Sequence, residues 1–214
     1  MAGYYPIMLD ISGKKCVVIG GGPVAERKVC SLLEYHAEVT VISPKLTERL
    51  TLLYEEKKIY FINRIYLRGD LKDFYLVYVA VGDSVVNKEC LEESKEEKNL
   101  INVVDVPNMS EFIAPAYIKK GDITVSISTN GKSPMLCRKI KEDIEELLKD
   151  ISEEYINVLA ELRNVVLNEV CAIEKRKKIL EKIVYSDVMD RIKIGEKIDI
   201  RETLFKIYTD EKEN

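Results

Sequence analysis

Apolar residues fall along the first hundred positions in short runs separated by stretches of helical spacing. Lys15–Ile19 (KCVVI), Glu38–Ile42 (EVTVI), Ile59–Ile62 (IYFI), Leu76–Val81 (LVYVAV) and Leu100–Val104 (LINVV) read as five strands. The fourth is apolar throughout, as a strand covered on both faces must be. Between the first two, Ala25, Val29, Leu32 and Leu33 recur at i, i+4, i+7 and i+8, the stripe of a helix over Pro23–Glu34. Pro23 falls in its first turn, where a missing N–H costs nothing. Arg27 and Lys28 fall on the outer stripe and read as a solvated face. A more polar helix is expected over Ser84–Lys98, with Val85, Val86 and Leu91 inward. Strand–helix alternation predicts an α/β fold with a Rossmann-type, doubly wound parallel sheet.

The pattern changes after Asp105. Ala116–Lys119 and Ile123–Ser128 read as a strand pair around Lys120-Gly121-Asp122, the second strand alternating Ile123, Val125, Ile127 against Thr124, Ser126, Ser128. Beyond it come helices, over Ser133–Lys149, Ser152–Val170, Ile173–Val184 and Arg201–Tyr208. No proline follows Pro134, and Gly195 is the only glycine after Gly131. The expected organisation is a nucleotide-binding domain over 1–113, a small strand-pair region for dimerisation and substrate over 114–149, and a C-terminal helical domain over 150–214. The charged tail Thr209–Asn214 is expected to fray.

Composition narrows the function classes. The 214 residues carry a formal charge of -4, which gives no general attraction to nucleic acid or an anionic membrane. The basic run Lys175-Arg176-Lys177-Lys178 is short and reads as a solvated helix face or a dimer contact. No apolar run approaches the roughly 20 residues that span a bilayer, and Met1–Lys14 has no signal-peptide pattern. Five cysteines, at 16, 30, 90, 137 and 171, are odd in number and include no C-x-x-C pair. That argues against a disulfide framework or a zinc cluster and for a reducing cytoplasm. With one histidine, His36, chemistry that needs several imidazoles is excluded and no metal site is expected.

Two places carry chemistry. Gly20-Gly21-Gly22-Pro23-Val24-Ala25 matches G-x-G-x-x-A between a strand and a helix, the context a dinucleotide fingerprint requires. Gly20 permits the tight turn, Gly22 lets a pyrophosphate approach the backbone, and Ala25 lets the helix lie close to the sheet. The helix N-terminus offers N–H groups to the anion. A glycine-rich turn without a ligand is the competing reading. The acid that NAD sites usually carry after the second strand is absent. Ser43-Pro44-Lys45 stands there, with Ser43 able to meet a ribose hydroxyl and Lys45 a 2′-phosphate, so the residues leave NAD and NADP open. The second place is Asp105, at the carboxyl end of the fifth strand, where open α/β sheets bind ligands. A carboxylate there can take a proton while hydride leaves to a cofactor. An Asp that merely shapes the turn before Pro107 is equally consistent with these residues.

Four separated motifs resemble one family. Tyr5-Pro6-Ile7 with Gly20 through Lys28, Asn102-Val103-Val104-Asp105, Phe112-Ile113-Ala114-Pro115, and Ser126 through Pro134 with Arg138 are similar to the precorrin-2 dehydrogenases, in order and spacing, over residues 4 to about 145. The resemblance implies NAD-dependent oxidation of precorrin-2 to sirohydrochlorin in siroheme biosynthesis, with Asp105 as the catalytic aspartate. It implies NAD contacts from Gly20, Gly21, Gly22, Pro23 and Val24, from Ser43, Pro44 and Lys45, and from Ala80, Val81, Gly82 and Asp83, and it favours NAD over NADP. It also implies a homodimer. Some members insert ferrous iron; Asp105 would be the base, but no histidine cluster suggests a metal site. Others are fused to a methyltransferase, an activity expected here from another protein. The substrate is a tetrapyrrole with eight carboxylates. Ser128, Thr129, Asn130, Gly131, Lys132, Ser133 and Arg138 form the expected platform for it, Ser133 doubling as the N-cap before Pro134.

This chain departs from the family at Gly82-Asp83-Ser84, where Thr-Asp-Asp is frequent, at His36, where glycine is usual, and at Thr129-Asn130, where Ser-Gly is usual. Two alternatives stand beside the resemblance: a Rossmann oxidoreductase of another small molecule, and an NAD-sensing regulatory domain without chemistry. A sensor would keep the acid after strand two and would have no use for Asp105.

Overall fold

Strands form where the chain offers apolar residues to both faces. In the computed structural model, which describes residues 3–213, β1 (Lys15–Ile19), β2 (Glu38–Ile42), β3 (Tyr60–Ile62), β4 (Leu76–Val79) and β5 (Leu100–Val103) make one parallel sheet in the order β3-β2-β1-β4-β5. Central β1 sets Val17 opposite Thr40 on one side and Val77 on the other. Alternate residues feed two cores. Cys16, Val18, Leu76 and Tyr78 pack with Ala25, Val29 and Leu32 of α1 (Pro23–Glu34). Val17, Ile19, Val77 and Val79 pack with Cys90 of α3 (Ser84–Glu97) and with Tyr66 and Leu71 of the β3–β4 connection. The expected doubly wound sheet is therefore present.

The differences have local causes. β4 ends at Val79, although the Ala80 N–H still donates to the Ile19 carbonyl of β1 at 2.8 Å. A helix that periodicity does not reveal, α2 (Glu48–Glu55), forms because Thr47 caps it, its hydroxyl accepting the Leu50 N–H at 3.2 Å. Only Leu50 of α2 is buried, too thin a stripe to register in the sequence. In α3 the expected inward Val85 is 63% exposed, and the buried positions are Asn87, Cys90, Glu93 and Ser94. Glu93 is buried because the preceding loop needs it. Its carboxylate accepts from Tyr66 Oη at 2.5 Å, Gly69 N at 2.9 Å and Leu71 N at 2.6 Å. Asn99 reaches the same loop, donating to the carbonyls of Leu71 and Phe74. His36 stands at φ 60°, in the left-handed region, where glycine is the residue with no steric cost. All five cysteines are free; burial pushes the Cys16 thiol up to about 11 and Cys90 to about 12, while Cys171 is exposed.

The chain divides into two compact units, the first ending at Ala114 and the second beginning at Pro115. The second holds an antiparallel pair, β6 (Ala116–Lys120) and β7 (Ile123–Ile127), turning at Gly121. Then follow α4 (Pro134–Leu148), α5 (Glu153–Glu169), α6 (Ile173–Val184), α7 (Val188–Lys193) and α8 (Ile200–Glu213). Leu162, Val166, Ile179, Ile183, Val188 and Leu204 form the core of α5–α8. The basic run on α6 is largely paired: Lys177 faces Glu181 at 3.8 Å, Lys178 faces Glu211 at 3.6 Å, and Arg176 donates to the Val170 carbonyl. The tail corrects the expectation of fraying. Helix α8 runs through Glu213, held by a buried Tyr208 that donates to Glu169 at 2.8 Å and by Lys212 on the same carboxylate at 2.5 Å. Asn214 lies outside the described residues.

Candidate active site

The order β3-β2-β1-β4-β5 reverses direction between β1 and β4, and ligands of open parallel sheets bind at the carboxyl ends of the strands beside such a reversal. The glycine loop leaves β1 there, Ala80 leaves β4, and Asp105 follows β5 within two residues. The three cradle glycines answer different demands. Gly20 has φ +117°, and a Cβ there would stand 2.6 Å from the Ala80 carbonyl oxygen. A Cβ on Gly21 would lie 2.0 Å from the Lys45 carbonyl oxygen and 2.8 Å from Ser43 Oγ, a packing constraint the fingerprint did not supply. A Cβ on Gly22 would meet nothing within 4 Å. Gly22 is the N-cap of α1 and brings no side-chain cap, so the N–H groups of the first turn keep their donors for another partner. A phosphate fits such a cradle. Pro23 occupies the first turn, and Ala25 is fully buried against the sheet.

The segment after β2 braces the cradle. Buried Ser43 donates its hydroxyl to the Lys45 carbonyl at 2.7 Å and accepts the Lys45 N–H at 3.4 Å. That closes the turn that packs Lys45 O on Gly21. Pro44 and the Lys45 side chain are exposed. Thr47, which the sequence did not single out, ties three elements together. Its N–H donates to Gly21 O at 3.0 Å, its hydroxyl donates to Glu26 of α1 at 2.5 Å, and it caps α2. Beyond β4, Gly82 stands in open space, and Asp83 caps α3 by accepting from Val85 N at 2.8 Å and Val86 N at 3.3 Å.

Asp105 is exposed, at φ 61°. An L-residue in the left-handed region costs on the order of 1 kcal/mol or more and tends to mark functional sites. The outer-stripe reading of Lys28 needs correction: Lys28 is half-buried, with Nζ 5.1 Å from the centroid of the Tyr78 ring. Burial lowers its ammonium pKa, and the charge of Arg27 lowers it further, while the Asp105 carboxylate acts in the opposite sense. Among the described residues no carboxylate lies within ion-pair distance of it. Helical counting missed Lys28 because α1 reaches past β1 to β4, so its side as well as its base is packed. Tyr78 meets Phe112 edge to face at 5.5 Å, and buried Asn102 donates to the Phe112 carbonyl at 2.8 Å.

The loop 128–133 belongs to the second unit. Asn130 and Gly131 take positive φ, 52° and 78°. Thr129 Oγ1 accepts the Ser133 N–H at 3.0 Å, Ser128 Oγ accepts the Asn130 N–H at 3.0 Å, and Ser133 caps α4 through Leu136 N at 3.3 Å. These hydroxyls shape the loop before they meet any ligand. Arg138 is exposed and pairs with Glu142 at 3.1 Å, and Lys132 is exposed.

Comparison with known proteins agrees with the geometry. A family described as "Putative NAD(P)-binding" matches residues 7–116, and one described as "Sirohaem biosynthesis protein central" matches residues 120–147. A siroheme synthase of Nitrosococcus oceani is 33% identical over 193 residues, which cover 90% of this chain and 41% of that protein. One from Thioalkalivibrio sulfidiphilus is 32% identical over 203 residues, covering 95% and 42%. The chain therefore spans about two fifths of the length of these curated relatives. Among solved structures, the protein titled "SirC, precorrin-2 dehydrogenase" superposes with a TM-score of 0.78 at 22% identity, covering 99% of this chain and all of that one, and so shares its fold.

Proposed function

The chain belongs to a family of NAD(P)-binding proteins, and from that premise we propose that it is an NAD-dependent precorrin-2 dehydrogenase of siroheme biosynthesis, oxidising precorrin-2 to sirohydrochlorin. The observation that carries the reading is the placement of a glycine cradle and a strained, exposed Asp105 beside one sheet reversal. The siroheme synthases among its relatives support a place in siroheme biosynthesis. Precorrin-2 gives up two hydrogens, one as hydride and one as a proton. NAD held in the cradle supplies the hydride acceptor. The first turn of α1 binds its pyrophosphate, and the Ser43–Lys45 turn and Ala80–Asp83 border the rest of the cofactor. Asp105 takes the proton from substrate carbon. Ser128 through Ser133 and Arg138 receive the substrate's carboxylates, Lys132 and Arg138 supplying charge and the helix N-terminus supplying N–H groups.

The cofactor is NAD rather than NADP, the protein a homodimer, and its compartment the cytoplasm. Dimerisation is supported by β6 and β7, each paired among the described residues only with the other, and by α4, which has no buried residue and exposes Met135, Leu136 and Leu147. A two-stranded ribbon with one helix, α4, against it is marginal by itself. Five free thiols suit a reducing compartment.

The test is anaerobic incubation of the purified protein with enzymatically made precorrin-2 and either NAD or NADP, following reduced-cofactor absorbance and the sirohydrochlorin spectrum together. Both signals should rise in step with NAD. Cofactor binding without either signal would end the substrate assignment, and faster turnover with NADP would end the cofactor assignment.

A further inference from the structure

Asp105 holds a conformation that its own backbone disfavours, so something must impose it. It is the third residue of a tight turn closed by Val106 N–H on the Val103 carbonyl at 3.1 Å. Glycine is the cheap residue at such a position. The surroundings that fix the turn converge on Ser110, which lies five residues on, just after the short 3-10 turn Pro107–Met109. Its hydroxyl oxygen accepts the Val103 N–H at 3.0 Å and lies 3.1 Å from both the Val103 and Val106 carbonyl oxygens. The one hydroxyl therefore touches the first and the last residue of the Asp105 turn. Beside it, Met109 N–H donates to Val106 O at 3.0 Å and Glu111 N–H to Ile101 O at 2.9 Å, drawing the returning chain along β5. Among the described residues no neighbouring strand covers that edge of β5, so without Ser110 the Val103 N–H has no partner in the sheet.

We propose that Ser110 is a positioning residue for the reaction: its hydroxyl bridges Val103 and Val106 and thereby aims the Asp105 carboxylate. This rests on the role given to Asp105 above. A serine that only stabilised the fold would alter melting and leave the chemistry of a folded enzyme alone. A serine that aims a base changes kcat, since a misplacement of about 1 Å costs on the order of a hundredfold.

The experiment compares wild type, Ser110→Ala and Ser110→Thr, each alone and combined with Asp105→Ala. S110A should lower kcat about tenfold to a hundredfold while leaving the Kd for NAD unchanged, and S110T, which restores the hydroxyl, should recover most of the rate. In the Asp105→Ala background, S110A should change the residual rate no further, because the group it acts through is gone. Wild-type kcat in folded S110A, or the same fractional loss with and without Asp105, would overturn the proposal. Should S110A not fold, Ser110→Cys, close in size and poor at hydrogen bonding, is read in the same way. If the wild-type protein does not oxidise precorrin-2, the functional reading fails by itself and amide exchange decides the bridge. Val103 and Val106 amides should exchange faster in S110A and regain protection in S110T; unchanged exchange refutes the bridge.

Discussion

A methyl group added to each cradle glycine in turn separates folding from binding. At Gly20 it meets the Ala80 carbonyl oxygen with a backbone at φ +117°; at Gly22 it meets nothing. Gly20→Ala should therefore cost about 2 kcal/mol or more of stability, read as a lowered thermal midpoint. Gly22→Ala should melt with the wild type yet lose NAD affinity about tenfold, the worth of roughly one charge-assisted hydrogen bond, read by calorimetric titration. If both variants melt early and bind alike, the division of roles between the two glycines is wrong. Asp105 shows the opposite trade. Asp105→Gly removes the carboxylate and the left-handed strain together, so it should gain up to about 1 kcal/mol of stability while turnover falls on the order of a hundredfold or more. A variant that lost stability as well would contradict the strain seen at φ 61°.

The connection between β3 and β4 is held by α3 as well as by the apolar side chains, Tyr66 and Leu71, that it sends into the core. Glu93 gathers one phenol and two backbone N–H groups in a buried place. Glu93→Ala leaves those donors unsatisfied and should cost roughly 3 kcal/mol, measured by urea unfolding. Glu93→Gln should cost less, since it keeps an acceptor. Earlier in the same loop Arg64 grips Asp70 with two guanidinium nitrogens, at 2.6 and 2.7 Å. The Arg64 hydrogen bonds, with help from the Leu67 N–H, hold the Asp70 carboxyl below its ordinary range. A depressed carboxyl contributes stability that is complete above its unfolded pKa and disappears as pH falls through the folded one. Asp70→Asn should accordingly be less stable than wild type at neutral pH, the gap closing below about pH 4. A gap that stayed constant down to pH 2 would show that the pair contributes nothing through ionisation.

At the scale of the whole chain, the sequence disclosed what repeats and hid what is solitary. Strands filled with valine and isoleucine announce a sheet buried on both faces, and the fingerprint places the first turn of α1 because three glycines and a proline leave few alternatives. Asp105 was found by its position alone. Thr47, Ser110 and Lys28 were not, because each acts across a distance in sequence that no spacing rule encodes: Thr47 on Glu26, Ser110 back on Val103, Lys28 on Tyr78. In the sequence Ser43 and Asp83 read as ligand contacts, but their nearest chemistry is local, a turn and a helix cap. Helix α8 shows the same limit in the second unit, since nothing in Thr209–Glu213 itself says that Glu169 waits for Tyr208 and Lys212. Its core is conventional enough to test directly. Leu204→Ala should cost about 2–5 kcal/mol as a cavity among α5, α6 and α8, seen as an earlier loss of helical signal on heating.

The spread of thiols turns the molecule into its own unfolding clock. Cys16 and Cys90 lie at 0% exposure on opposite faces of the sheet, with pKa values lifted by burial to about 11 and about 12, whereas Cys171 is open to solvent in the other unit. A disulfide reagent at neutral pH should consume Cys171 at once. Cys16 and Cys90 should react only as fast as the sheet opens, and together, since one cooperative layer shields both. A cofactor that binds the folded sheet makes its opening rarer, so the slow thiols should be slower still when NAD is present, and the extra delay measures binding without any substrate or absorbance change.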